Sequence, residues 1–166
     1  LSFVDINDLR LNDPSNVGDW NAYFNLSVGG YYGNPFNFVF LSGNNVELYG
    51  GSSIRLLDNL FNSISIISIE DEGGCIIAMD DNCFNSCTSL TTVNLPNVST
   101  IGRTDGGGNS FQYCSSLISV NLFNLVNIIG RQNFQHCTSL TSISLPHLQN
   151  TSTGISGDSC FANCTS

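Results

Sequence analysis

Cys87, Cys114, Cys137 and Cys164 each stand three residues after a phenylalanine, in a phrase F-x-x-C that begins at Phe84, Phe111, Phe134 and Phe161. Thiolates are natural zinc ligands, but a zinc site needs them to converge on one point. Equivalent residues of a repeated phrase lie on successive units, in a line, so no such point exists. Two outcomes stay open. The thiols fill an interior as small apolar groups, which the pattern favours, or neighbouring units join by disulfides, whose torsion parallel stacked side chains seldom reach. Cys83 and Cys160 precede the Phe of their phrases, where the other copies carry Ser110 and Asn133. A place so tolerant of polarity is expected to be half-exposed. Cys75 stands alone in "EGGCIIAMDDNC".

His136 adjoins Cys137 and His147 follows Pro146. A Cys–His nucleophilic pair requires converging side chains, and sequence neighbours on an extended segment diverge, so both histidines are expected at turns or on the surface. Glu70, Asp71, Glu72, Asp80 and Asp81 form two acidic clusters. Calcium takes roughly six to eight oxygens, but the clusters lack the D-x-D-x-D-G order of a calcium loop and are expected to be solvated loop charge. "GRTDGGGNS" has no G-x-x-x-x-G-K-[ST] pattern. No catalytic residue, metal site or cofactor is therefore expected, and the chain does not read as an enzyme.

The elements that position these groups follow from the repeat. After each phrase comes L-x-x-[VI]-x-L: Leu90-Val93-Leu95, Leu117-Val120-Leu122 and Leu140-Ile143-Leu145. A period of roughly 20–29 residues on this pattern marks a leucine-rich solenoid, in which one unit cannot bury its apolar side alone. Pro96 and Pro146 end the strands. Asn97, Asn124, Ile101-Gly102 and Ile129-Gly130 suit the turns onto the opposite side. A degenerate first copy, "LFNSISIISIE", carries Phe61 and reads as Ile64-Ile67-Ile69 in the strand positions. Residues 1–59 do not repeat. Their short aromatic and β-branched runs read as strands, a β-rich N-terminal cap packed by Trp20, Phe24, Phe36, Phe38 and Phe40. Residues 60–166 are the repeat array, about four rungs with the last incomplete. The expected fold is mainly β: a solenoid of parallel strands with short helical or 3-10 turns. The chain begins with Leu and stops partway through "CFANCTS", and is read as a piece of a longer protein.

Strand alternation turns Thr92, Asn94, Ser119, Asn121, Ser142 and Ser144 outward. They make an uncharged surface of hydroxyls and amides that both donates and accepts hydrogen bonds, a candidate binding face or simply the wet side of a sheet. The longer copies insert residues between the Ile-Gly turn and the next Phe. This places Arg103 to Asn109 and Gly154 to Ser159 at one edge, with Arg103, Thr104, Asp105, Asn109 and Asp158 as candidate edge-loop contacts. The first rung carries a long loop too, over 70–82.

Charged residues make up only 10% of the chain, none of them Lys, and the net charge is -9. Nucleic-acid binding, which needs clustered cations, and docking on anionic membranes are both disfavoured. No apolar run reaches the length of a spanning helix, so no membrane insertion is expected.

"CFNSCTSLTTVNLPNVSTIG", "FQYCSSLISVNLFNLVNIIG" and "FQHCTSLTSISLPHL" resemble the BspA-type leucine-rich repeats of bacterial surface proteins. The likeness runs from Phe84 to Ser166. "DWNAYFNLSVGG" through "VELYGGSSIRLLDNLF" resembles the segment preceding such repeats in proteins of bacteria and their tailed phages. The resemblance implies a parallel solenoid and a non-enzymatic role in adhesion or receptor binding, on a bacterial surface or in a phage tail fibre, with an extracellular, cell-surface or virion location. Phe123, standing where 96 and 146 are Pro, and the longer copies are departures that bear on loop conformation. The expected partner is a cell-surface glycan or protein. The alternative is a structural protein, a spacer or self-associating homo-oligomeric fibre without ligand specificity. Ice binding by the regular hydroxyl-rich face is a more remote alternative.

Overall fold

Short alternating runs bounded by Asn, Pro and Gly make short strands, and corners between them carry the chain around each coil. The computed structural model describes residues 4–5, 38–42, 45–49, 54–56, 58–59, 61–63, 65–71, 74, 76–103, 107–149 and 159–165. The strands are β1 (Val4–Asp5), β2 (Phe38–Ser42), β3 (Asn45–Tyr49), β4 (Ile54–Leu56), β5 (Ser68–Glu70), β6 (Ile76–Met79), β7 (Thr92–Asn94), β8 (Thr100–Ile101), β9 (Ser119–Asn121) and β10 (Asn127–Ile128). One sheet has the order β1-β2-β3-β5-β7-β9 and the other β10-β8-β6-β4. Pairing is antiparallel across β1, β2 and β3. It is parallel from β3 to β9 and throughout the second sheet. Four successive coils, carrying β3 with β4, β5 with β6, β7 with β8 and β9 with β10, thus give one strand to each sheet, the Phe134 coil adds the bridge from Asn121 to Ser144, and the parallel solenoid expected from the repeat is what forms. β3 and β4, upstream of residue 60, continue both ladders. No helix of the described residues is long and apolar enough to cross a membrane.

The third side of each coil is the F-x-x-C phrase. The Cys N–H bonds the Phe carbonyl three residues back, at 3.2 Å for Cys87, 3.1 Å for Cys114 and 3.3 Å for Cys137. These are single 3-10-type turns. They do not propagate, because the residues two before and two after each Phe are left-handed: Asn82 and Ser86, Asn109 and Tyr113, Gln132 and His136 all have φ between 56° and 62°. The expected short 3-10 turns are therefore isolated corners.

Between the three sides, equivalent residues stack. The rings of Phe61, Phe84, Phe111, Phe134 and Phe161 form one parallel column with successive centroids 5.0, 5.2, 5.0 and 5.1 Å apart. Leu90, Leu117 and Leu140, Val93 of β7, and Leu95 and Leu122 just past β7 and β9 are buried beside it. Burial of one such side chain contributes about 1.5–3 kcal/mol, which no coil gains without a neighbour. All six described cysteines are free thiols. In the repeat column each S–H donates to the Phe carbonyl of the preceding coil: Cys87 to Phe61 at 2.8 Å, Cys114 to Phe84 at 3.1 Å, Cys137 to Phe111 at 3.2 Å and Cys164 to Phe134 at 3.1 Å. Cys75 lies outside the described residues.

Two expectations about the core change. Cys83, Ser110, Asn133 and Cys160 are buried, not half-exposed. The place tolerates polarity because corner carbonyls face it: Asp80 O accepts from Ser110 Oγ at 3.0 Å and from Cys83 Sγ at 3.3 Å, and Ile129 O accepts from Asn133 Nδ2 at 3.1 Å. The first rung is also in a different register. Ile69 pairs with Val93, so Ile66 and Ile69 fill the places of Leu90 and Val93, and Asp71 falls at that of Leu95. Ile67 is 42% exposed, and Ile64 lies outside the described residues. One residue is missing between Phe61 and its strand, and an Ile-rich run fits the alternation in more than one register. Of the aromatic residues expected to pack a cap, Phe38 and Phe40 belong to β2, and Trp20, Phe24 and Phe36 lie outside the described residues.

Candidate binding face

The ladder register sets the rows of the outer face. Thr92 lies between Ser68 and Ser119, and Asn94 between Glu70 and Asn121. A bridge from Asn121 to Ser144 carries the second row onward. Thr92 and Asn94 are half-buried, while Ser119, Asn121, Ser142 and Ser144 are exposed. Asn121 Nδ2 donates to Asn94 Oδ1 at 2.7 Å. Past the strand, Asn124 Nδ2 donates to Asn97 Oδ1 at 3.2 Å and Asn97 Nδ2 to Gly74 O at 2.8 Å. Asn94 with Asn121 and Asn97 with Asn124 are thus oriented by one another, and Asn97 also by Gly74 O, so the amides of the face and its corner are pre-set.

The edge-loop residues are placed differently. Arg103 N donates to Asp81 Oδ1 at 3.1 Å and its Nη1 to Asp58 Oδ2 at 3.2 Å, which holds the start of the loop against the stack. Asn109 is half-buried in a left-handed corner. Thr104, Asp105 and Asp158 lie outside the described residues, as do 154–157 of the second loop.

Three of the acids are not solvated loop charge, and Glu70 is half-buried in β5. Asp71, Asp80 and Asp81 are buried, and each carboxylate has a partner at a corner. Asp71 Oδ2 accepts from Ile76 N at 2.7 Å, Asp80 pairs with Arg55, and Asp81 accepts from Arg103 N. A carboxylate is the side chain that accepts backbone N–H groups left over where the chain turns between sheets. Glu72 lies outside the described residues. No cluster of His, Cys, Asp or Glu able to hold a metal occurs among the described residues. A cleft of about 200 Å³ is lined by Arg55, Thr100, Gly102, Arg103 and Ile129. Both of its arginines already face an aspartate, so it offers no unmatched positive charge.

His136 and Cys137 diverge as expected. The imidazole stacks on Tyr113 with centroids 4.8 Å apart, while the thiol bonds inward to Phe111 O. Burial pushes the Cys137 thiol up to about 12, aided by the neighbouring thiols, and burial raises the Cys83 and Cys114 thiols well above their ordinary value. These groups stay protonated and are poor nucleophiles.

Sequence reasoning passed over the exposed apolar side chains. Ile118 is 60% exposed, Phe123 53% and Tyr113 46%. Phe123 packs edge-on against His147 at 5.0 Å. Its departure from Pro leaves the corner unchanged: Val98, Leu125 and Leu148 each bond the carbonyl three residues back, at 3.2, 3.0 and 3.2 Å. Reading the columns across the copies, not each copy along its length, would have found all three.

Comparison with known proteins agrees with this geometry. No curated protein matches the chain. A solved leucine-rich repeat protein of T. pallidum has a similar fold, with a TM-score of 0.55 and 19% identity over 78% of this chain and 65% of that one. A leucine-rich cell surface protein of Faecalibacterium prausnitzii A2-165 gives a TM-score of 0.53 and 22% identity over 81% of this chain and 40% of that one. The chain thus spans less than two thirds of either. The family model for the BspA type leucine rich repeat region in six copies matches residues 38–105 and 104–166. With that match and a stack of aligned Phe, Cys and Leu columns, the chain belongs to the BspA-type leucine-rich repeat family.

Proposed function

We propose that this chain is a binding module displayed outside the cell, part of a bacterial adhesin or of a phage fibre, and that it contacts a cell-surface macromolecule through the outer face of its six-stranded sheet. The observation that carries this reading is the pair of rows Thr92–Ser119 and Asn94–Asn121–Ser144, whose amides are held in place by neighbouring amides. A pre-oriented surface loses little side-chain freedom on binding. Membership of a family described from bacterial surface proteins, and a similar fold in a protein named as a cell surface protein, support the location.

The test is adhesion of the fluorescently labelled chain to a panel of bacterial and epithelial cells. The double variant Ser119→Arg and Ser142→Arg, which places charge on the face, should reduce binding at least about tenfold, a loss of roughly 1.4 kcal/mol. Equal binding by that variant, or no binding to any cell by the unmodified chain, overturns the reading.

A spacer role is favoured by a different feature. Hydrogen bonds between side-chain amides run from coil to coil on the corner side as well, from Gln112 Nε2 to Gln135 Oε1 at 2.7 Å and from Asn85 Nδ2 to Gln112 Oε1 at 3.2 Å. They stiffen the stack. Rods or fibres seen by electron microscopy, with no adhesion, would be its signature.

A further inference from the structure

In a repeat protein each coil serves as a control for the others. At three places the Phe111 coil carries a large apolar side chain where its neighbours do not: Tyr113 against Ser86 and His136, Ile118 against Thr91 and Thr141, and Phe123 against Pro96 and Pro146. All three are exposed. The fold requires none of them. The corner after β9 is the same with Phe123 as with Pro. Tyr113 has φ +62°, a conformation that suits Asn or Gly far better than a bulky residue. The next coil props both rings, His136 lying flat on Tyr113 and His147 edge-on to Phe123.

The first coil repeats one of the three, Ile67 standing exposed at the place of Ile118, but the two adjoining coils carry none of them, and exposed apolar side chains gathered in this way mark an interaction site. Ile118 indicates what kind. A branched aliphatic offers a sugar neither a hydrogen bond nor a flat π face, and it gains only by burial against other apolar groups. From Asn109 to Gly130 the coil has no charged residue, so the partner segment must be uncharged as well, since a buried unmatched charge is costly.

We infer that the Phe111 coil is the anchor of a protein-binding surface. Ile118 and Phe123, at either end of β9, and Tyr113 at the preceding corner seat apolar side chains of an uncharged segment of a protein partner, with Ser119 and Asn121 supplying hydrogen bonds between them. This rests on the binding role proposed for the face. It adds the partner's chemistry and the side chains that dominate affinity, which at protein interfaces are few, often aromatic, and centrally placed.

The test compares the full chain with the triple variant Tyr113→Ser, Ile118→Thr, Phe123→Pro, which installs the neighbouring coils' residues, and with Ile118→Thr alone. Circular dichroism and urea midpoints establish that both variants fold. Panning a random peptide library against the full chain should enrich peptides with uncharged apolar cores. Their binding should change little with salt, weaken at least about tenfold in the triple variant, and weaken measurably in Ile118→Thr. No enrichment, charged salt-sensitive peptides, or equal binding by the triple variant overturns the proposal. A neutral oligosaccharide array whose signal is lost in the triple variant overturns it in favour of a glycan. A concentration-dependent dimer lost in that variant overturns it in favour of a second copy. Cell adhesion that survives the triple variant but not Ser119→Arg with Ser142→Arg sinks the anchor and leaves the face, whereas absence of adhesion by the unmodified chain sinks the face itself.

Discussion

The rings of Phe84 and Phe111 lie parallel, with centroids 5.2 Å apart, although the two residues are a full repeat apart in sequence. Each ring is the floor of one coil and the ceiling of the next. Truncating one from the middle of the column therefore opens a cavity shared by two interfaces. Phe111→Ala should cost about 3–5 kcal/mol, read as a fall in the urea midpoint. Phe161, 38% exposed, should cost clearly less when changed to Ala. Equal losses at the two positions would contradict the column.

Thiol burial gives the fold a pH dependence on the alkaline side. The Cys137 thiol rises from its ordinary 9.0 to about 12 in the folded chain because burial disfavours the thiolate. The unfolded chain releases this proton at lower pH than the folded one. The stabilising contribution is complete below about pH 9 and is lost as pH rises from there to about 12. Urea midpoints measured across that window should fall, and Cys137→Ala should flatten part of the slope. Iodoacetamide at neutral pH should leave Cys83, Cys114 and Cys137 unmodified in the native chain and label them after unfolding.

Asp71 occupies a core place that is Leu in other coils, and it accepts from Ile76 N at 2.7 Å. Asp71→Leu restores the apolar residue but strands that buried N–H, which costs about 1–3 kcal/mol. The variant should be less stable than the unmodified chain, despite matching the repeat pattern. A gain in the urea midpoint would show that the carboxylate is dispensable.

The left-handed corners tolerate few side chains. At Gln132, with φ +56°, Val should destabilise by at least about 1–2 kcal/mol, since Cβ branching aggravates the clash with the carbonyl. Gly at the same position should be close to neutral. Thermal unfolding of the two variants distinguishes them.

The repeat made the architecture legible. Phe, Cys and Leu at fixed offsets can be buried only by stacking, and the coordinates of one coil follow from those of its neighbours. Features that depend on the corner, not on the strand, stayed hidden. The burial of Ser110 and Asn133 turns on which carbonyls the corner presents, and spacing carries no trace of that. Asp80 and Asp81 read as solvated because acids usually are, whereas leftover backbone N–H groups and Arg55 draw them in. "SISIISI" supports more than one alternating register, so only the pairing of Ile69 with Val93 decided it. On the face, the outward direction of Ser119 and Asn121 followed from alternation. The weight of Ile118 and Phe123 did not, because an isolated apolar residue on a surface is ordinary until its three-dimensional neighbours are known to lack it.

The bonds joining one coil to the next, the Cys–Phe bonds included, run in the stacking direction. A tether pulling on the two ends loads every bond at a junction together, while the junctions themselves share the same tension one after another. Because each junction has its own strength, the weakest parts first and the others hold. A chain anchored at one end and attached at the other would therefore yield in discrete increments of length, absorbing a sudden tug without releasing its grip.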